Sequence, residues 1–174
     1  KHASWAFAES RPEEDEVLLR ARERSMALRL RPVTPAVAAT LTVLAAAGQP
    51  RAAVEVGTGA GVSGAALLRG MPEDSVLTTI DTDIRALRAA RETFREIGTQ
   101  PRVRTISGRA SLVLPRLSSA SYDLVFLDAE PSNTLLYVDE AVRLLRRGEL
   151  VDTVESYVGL RSIELKDGQF HLNG

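Results

Sequence analysis

The chain has 174 residues, enough for one domain with a full core, and its 44% hydrophobic and 26% charged content is that of an ordinary globular protein. A formal net charge of −1 gives no global field toward nucleic acid or a membrane surface, so neither is expected as a partner. Zero Cys excludes disulfides, thiol nucleophiles and cysteine metal sites, and no apolar run approaches the roughly 18 residues that span a bilayer. The start, Lys1-His2-Ala3-Ser4-Trp5, has no apolar signal core, and a cytoplasmic location is expected.

Taken in chain order, Trp5 and Phe7 in the N-terminal arm read as packing residues. Residues 13–30 have the pattern of an amphipathic helix, with Val17, Leu18, Ala21, Met26 and Leu30 as its apolar positions. Arg31-Pro32-Val33-Thr34-Pro35 breaks it. Thr34 then caps a second helix that runs from Pro35 to about 47, with Val37, Leu41 and Leu44 as the expected buried stripe. From residue 52 strands and helices alternate: strands at 52–56, 76–80, 103–106 and 122–127, helices at 63–70, 83–97, 110–117 and 133–146. In the last helix Val138, Val142 and Leu145 are expected to face inward, and in 83–97 the inward set is Ile84, Leu87, Ala90, Phe94 and Ile97. Strands separated by helices require parallel pairing through right-handed crossovers. The expected architecture is therefore a single 1–174 domain: an N-terminal helical segment (1–50) and a doubly wound, mostly parallel α/β sheet (51–174).

After Arg147-Gly148 the pattern changes. Residues 162–166 and 169–172 flank Asp167-Gly168, which predicts a C-terminal antiparallel hairpin. Too few residues precede it for another strand and crossover helix, which need roughly 15–20 at average element lengths. Either the sheet is truncated or part of the real chain is absent, and the reading adopts an incomplete core after about residue 148.

The most informative stretch is Val54-Glu55-Val56-Gly57-Thr58-Gly59-Ala60-Gly61-Val62-Ser63. Strand, glycine turn and helix make the first half of a nucleotide-binding unit, and glycines let a ligand lie against bare main chain. Glu55 is out of place for a pyrophosphate site, where two anions would repel. It suits a donor carrying ammonium and sulfonium charges, which points to S-adenosyl-L-methionine rather than NAD. Ser63 opens the following helix, where the dipole favours the donor's carboxylate. Asp81 ends the second strand, 20 residues after Gly61, in position to accept bonds from ribose hydroxyls, with Thr82 beside it and Asp83 capping the next helix. Gly108-Arg109-Ala110 follows the third strand, and Ala110 leaves room for an adenine. Asp128 ends the fourth, so Glu55, Asp81 and Asp128 are expected on one rim of the sheet, where ligands of open parallel sheets bind. Glu130 is a candidate second oxygen ligand for a metal or an ordinary loop acid. His2 and His171 have no partner at a useful spacing.

On these motifs the chain resembles the S-adenosylmethionine-dependent O-methyltransferases of the catechol and caffeoyl-CoA type, especially small bacterial members, over about residues 13–148. The resemblance rests on Val33-Thr34-Pro35, Glu55 to Ser63, Thr79-Ile80-Asp81, Ser107-Gly108-Arg109-Ala110, and Tyr122 to Ala129. It implies that Val33 touches the donor from the helical segment, that Glu55, Gly57, Thr58 and Ser63 hold its methionine part and Asp81 and Thr82 its adenosine, and that Asp128 lies at the methyl-transfer centre. It also implies a small-molecule hydroxyl acceptor, a homodimer, and Mg²⁺ or another divalent cation on Asp128. Two features depart from it. Metal-dependent members carry Asp-Ala-Asp-Lys where this chain has Asp128-Ala129-Glu130-Pro131, so the lysine base is replaced by Pro131; and the Asp-Asn pair that completes their metal site has no match in Val151-Asp152-Thr153. Two alternatives stay open: a non-catalytic protein that binds or senses S-adenosylmethionine, and an NAD(P)-dependent oxidoreductase, although Val62 stands where the third dinucleotide glycine belongs.

Overall fold

The computed structural model describes residues 2–129, 133–146, 162–166 and 169–173. Four parallel strands form the sheet in the order β3-β2-β1-β4: β1 Ala52–Val56, β2 Val76–Asp81, β3 Val103–Ser107 and β4 Leu124–Leu127. The order reverses between β1 and β4. That reversal opens a crevice at the carboxyl ends of the strands, where Val56, Asp81 and Leu127 end their elements.

Seven α-helices are described: α1 His2–Glu9, α2 Glu16–Ala27, α3 Pro35–Gly48, α4 Val62–Gly70, α5 Ile84–Glu96, α6 Ala110–Val113 and α7 Thr134–Leu144. Local chemistry sets their starts. Asp15 accepts from the Leu18 amide, Thr34 from the Val37 amide with Pro35 in the first turn, and Asp83 from the Arg85 amide. The helix expected at 110–117 is α6 followed by a turn of 3₁₀ helix, Leu114–Arg116, with Pro115 within it. Helix α1 was not anticipated; Phe7 within it is 61% exposed and lies under the Arg11 guanidinium, 4.7 Å from the ring centroid, rather than in a core.

Period-two alternation in β1 divides the core. Ala53 faces one layer with Leu67 and Leu68 of α4, Phe94 of α5 and Ala38, Leu41 and Ala45 of α3. Val54 and Val56 face the other with Ile80, Leu114, Tyr137 and Leu144. Helix α2 packs outside the first layer, Leu18 and Ala21 against Val62 and Ala65. Two helices present a different face from the expected one. In α3 the buried stripe is Ala38, Leu41 and Ala45, while Val37 and Leu44 are exposed; in α7 it is Tyr137, Ala141 and Leu144, while Val138 and Val142 are exposed. Small residues win in α3 because α4 comes very close. A Cβ at Gly70 would collide with the Thr42 carbonyl oxygen and reach 2.7 Å from the Ala46 amide nitrogen. In α5, Ile84 is likewise exposed, whereas Leu87, Ala90 and Phe94 are buried as expected.

The C-terminal strands β5 (Ser162–Lys166) and β6 (Gln169–Asn173) pair antiparallel with Lys166 opposite Gln169, the register of the expected hairpin. Its turn residues, and the region after 148 where an incomplete core was expected, lie outside the described residues.

The α3–α4 approach makes a test. Gly70→Ala forces the two helices apart and lowers stability by about 1–3 kcal/mol, as overpacking does; urea unfolding of the purified variant measures it, and an unchanged midpoint would refute the close contact.

Candidate functional site

At the carboxyl edge of the sheet lie two adjoining cavities. The first, about 160 Å³, runs between the glycine turn and the 30–33 segment, and its lining includes Val33, Gly57, Thr58, Ser63, Asp81 and Asp128. The second, about 690 Å³, lies over β2, β3 and β4, and its lining includes Gly57, Asp81, Thr82, Arg109, Ala110 and Asp128. Gly57, Asp81 and Asp128 belong to both. Eight of the nine expected site residues therefore face this crevice.

The glycine turn is shaped by its neighbours. Gly57 has φ +97°, and a Cβ there would overlap the Asp128 carbonyl oxygen and lie 2.9 Å from its carbon, so β4 can close on the turn only past bare main chain. Gly61 (φ +88°) caps α4 with no side-chain bond, so the first amides of that helix have no capping side chain, and Val62 and Ser63 at its start line the first cavity. Asp81 is held from two sides: Oδ2 accepts from the Gly59 amide at 2.9 Å and Oδ1 from the Asp83 amide at 2.9 Å. A carboxylate has about four lone-pair sites, so capacity remains for ligand hydroxyls. Asp128 is exposed at the mouth, and the protein around it raises its carboxyl above the ordinary range by desolvation.

Glu55 departs from the expectation. It does not stand on the rim with Asp81 and Asp128. Its side chain is fully buried, lines neither cavity, and accepts from Ser63 Oγ at 2.6 Å and Thr79 Oγ1 at 2.6 Å. Thr79 Oγ1 is also 2.6 Å from Thr58 Oγ1. Thr79 has one hydroxyl proton, and it goes to Glu55, so Thr58 must be the donor to Thr79. Burial pushes the Glu55 carboxyl up to about 7; the Ser63 and Thr79 bonds pull against that, and the Asp128 and Asp81 charges add to it. The physical reason for the misplacement is the strand's alternation. Lying between Val54 and Val56, Glu55 must point into the opposite layer, beneath α4. Thr79, which completes the network, is an expected strand residue that the sequence did not mark as part of the site; its place beside Glu55 follows from the β1–β2 register, Glu55 opposite Thr79.

No three His, Cys, Asp or Glu side chains among the described residues come together as a metal site, and Glu130 lies outside those residues. No described helix is long and apolar enough to cross a membrane.

The crevice, its glycine turn and its strand-end acids lie where open parallel sheets of the doubly wound type bind their ligands. Comparison with known proteins narrows the class. Residues 9–157 match the O-methyltransferase family. A Mycobacterium tuberculosis protein named as an O-methyltransferase is 52% identical over 159 residues, covering 91% of this chain and 71% of that protein. Among solved structures, the O-methyltransferase TomG from Streptomyces achromogenes, in complex with S-adenosylmethionine, superposes with a TM-score of 0.77 at 30% identity, over 85% of this chain and 69% of that one. A cofactor-bound protein from MTB, Rv0187, gives 0.75 at 34% identity, over 82% and 67%. The chain belongs to the O-methyltransferase family, whose reaction moves a methyl group from S-adenosylmethionine to a hydroxyl oxygen.

Glu55 also makes the fold pH-sensitive. Its folded pKa, about 7, lies above the ordinary 4.5, so the native state holds a proton that the unfolded chain gives up. The stability this contributes is complete below about pH 4.5 and is lost as pH rises through about 7. Asp15, Asp83, Glu96 and Asp123 shift the other way, and their effect falls below that window. Glu55→Gln, near-isosteric and uncharged, flattens the slope between pH 5 and 8 in urea unfolding; parallel profiles for the two proteins would rule out a buried titrating Glu55.

Proposed function

We propose that the two cavities together receive one molecule of S-adenosylmethionine, with its methionine part in the smaller and its adenosine in the larger, for methylation of a small-molecule hydroxyl acceptor. The observation that carries this reading is that Gly57, Asp81 and Asp128 face both cavities, so a single elongated ligand can span them. The residues fit the donor's chemistry. Open main chain at Gly59, where a Cβ would meet nothing within 4 Å, leaves room beside the smaller cavity, free amides at the start of α4 suit a carboxylate, and two rim acids suit a cation. In this reading Val33, Gly57, Thr58 and Ser63 hold the methionine part. The Ser63 hydroxyl already donates to Glu55, so it is the Ser63 amide that serves the carboxylate. Asp81 takes the ribose hydroxyls, while Thr82 and Ala110 flank the adenine. Glu55 belongs to the site through Ser63 and Thr58 rather than by contact.

When bound, the donor supplies an electrophilic methyl on sulfur. The C–S bond breaks as the C–O bond forms, sulfur keeps the electron pair, and the hydroxyl proton must leave. Asp128, exposed at the mouth with a raised carboxyl, is the residue suited to accept that proton, since Pro131 stands where a lysine would. The rest of the work is orientation and charge placement. For a divalent cation the described residues offer no cluster of three acidic or imidazole ligands, and Glu130 and Asp152 lie outside them; Asp128 is the residue that would hold such an ion, with waters filling the rest of its shell. No step is therefore routed through a metal. The reading includes a homodimer, supported by exposed Met26 on α2 and Val43 and Leu44 on α3, and a cytoplasmic location, in keeping with a water-soluble donor.

Calorimetric titration with S-adenosylmethionine tests the reading. Binding in the micromolar range is expected, and Asp81→Ala is expected to weaken it at least tenfold, the worth of losing about 1.4 kcal/mol of charge-assisted bonding. Absence of binding by the native protein at millimolar donor would end the proposal. With Asp128 as the proton acceptor, turnover of catechol-like acceptors should be insensitive to EDTA; abolition by EDTA and recovery with Mg²⁺ would instead assign Asp128 to a divalent cation.

A further inference from the structure

Arg22 lies on α2 and lines neither cavity. Its Nε and Nη2 donate to the two carboxylate oxygens of Glu14, the Nη2 bond being 2.7 Å, and its Nη1 donates to the Val33 carbonyl oxygen at 2.7 Å. The pair is largely sheltered, with the Arg22 and Glu14 side chains 17% and 7% exposed, whereas most ion pairs of this protein stand at the surface. Val33 ends the 30–33 segment, of which Leu30, Arg31, Pro32 and Val33 all line the smaller cavity. That segment belongs to no helix or strand. Of its backbone amides only Leu30 makes a backbone bond, to the Ser25 carbonyl at 2.8 Å, and Pro32 has no N–H to offer. The wall of the cavity is thus held by side chains. Glu9 accepts from Thr34 Oγ1 at 2.7 Å and from the Ala36 amide at 3.1 Å on the far side, and Arg22 holds Val33 itself.

We propose that the Arg22–Glu14 pair is a latch that positions the 30–33 segment as the wall of the donor cavity, making Arg22 a positioning residue for S-adenosylmethionine binding. This rests on the reading of that cavity given above. Arginine is the side chain suited to the task. A guanidinium stays charged, and two of its edges can bond a carboxylate while a third donor remains for a carbonyl. Glu14 fixes the orientation of the plane, which aims Nη1–H at Val33. Without the latch the segment samples other arrangements, and the donor's apparent affinity falls by the fraction of time the wall is in place.

Removing Arg22 alone would leave Glu14 sheltered and unpaired, so the cleaner variant replaces both members with apolar side chains of similar size, Arg22→Met with Glu14→Leu. Calorimetry with S-adenosylhomocysteine and steady-state kinetics then compare it with the native protein. The expected result is a melting temperature close to native, a Kd raised roughly tenfold, as for a wall in place about a tenth of the time, and a loss that falls on the donor KM more than on kcat. A folded double variant with native Kd would overturn the latch. Arg22→Lys gives an independent check, because it keeps a cation for Glu14 but cannot also reach Val33. It should raise Kd in the same direction, and native affinity in that variant would overturn the proposal even if the double variant failed to fold. Native protein that does not bind the nucleoside at all would instead overturn the function assigned to the cavity.

Discussion

A carboxylate buried in the middle of the sheet is the constraint around which this site is organised. Glu55 stands on the central strand with no access to water, and leaving it unbonded there would cost several kcal/mol. Three hydroxyls prevent that. Ser63 ties it to the first turn of α4, Thr79 to the neighbouring strand, and Thr58, through Thr79, to the glycine turn. The three glycines of the turn adopt positive φ and carry no side chains, so the turn is fixed by hydrogen bonds: the Gly57 amide to the Ile80 carbonyl, the Gly59 amide to Asp81 and Thr93 Oγ1 to the Ala60 carbonyl. The Glu55 network adds to these from beneath. It also explains the packing of Gly64, where a Cβ would come 2.9 Å from Phe94 Cζ and 3.1 Å from Glu55 Oε2.

The same network links the buried layer to the charge of the crevice. Asp81 and Asp128 oppose ionisation of Glu55, and burial opposes it more. A cation seated between the two rim acids would offset their charge as felt by Glu55 and favour its ionised, fully accepting form. That form is the one the Ser63 and Thr79 hydroxyls are oriented to serve. In the reading proposed above, a cationic donor in the crevice and the hydrogen bonds beneath the turn would therefore support one another.

Much of this was legible in the sequence because it depends on local rules. The alternation of strands and helices, Thr34 and Asp83 as caps, Pro35 in a first turn and the strand-end acids each follow from a few neighbouring residues. What the sequence concealed depends on distance and direction. Helix α3 is apolar nearly all round, so periodicity could not choose between the Val37–Leu44 face and the Ala38–Ala45 face; the close approach of Gly70 chose the smaller one. The position of Glu55 at the end of a parallel strand points to the rim, because ligands of open sheets bind at such ends. The alternation between Val54 and Val56 carried the contrary signal, and a strand buried on both faces has no rim for its interior residues. The Arg22–Val33 contact spans eleven residues across a proline-containing break, and no pattern in the chain announces it.

The two acids that do reach the crevice are chemically unequal, and their surroundings divide the labour between them. Asp81 is fixed by two main-chain amides of its own neighbourhood, so its oxygens hold constant positions, and geometry is what recognition of a rigid ribose requires. Among the described residues no donor bonds the Asp128 side chain; its backbone is fixed, the amide donating to the Val56 carbonyl and the carbonyl packed over Gly57. Its carboxyl is exposed at the mouth and has a raised affinity for protons. A group that must meet variable acceptors and take up a proton benefits from that exposure, whereas one that must read a constant ligand does not. In the reading proposed above, two carboxylates at equivalent strand ends diverge in role because main chain locks one while the other is exposed and partly desolvated.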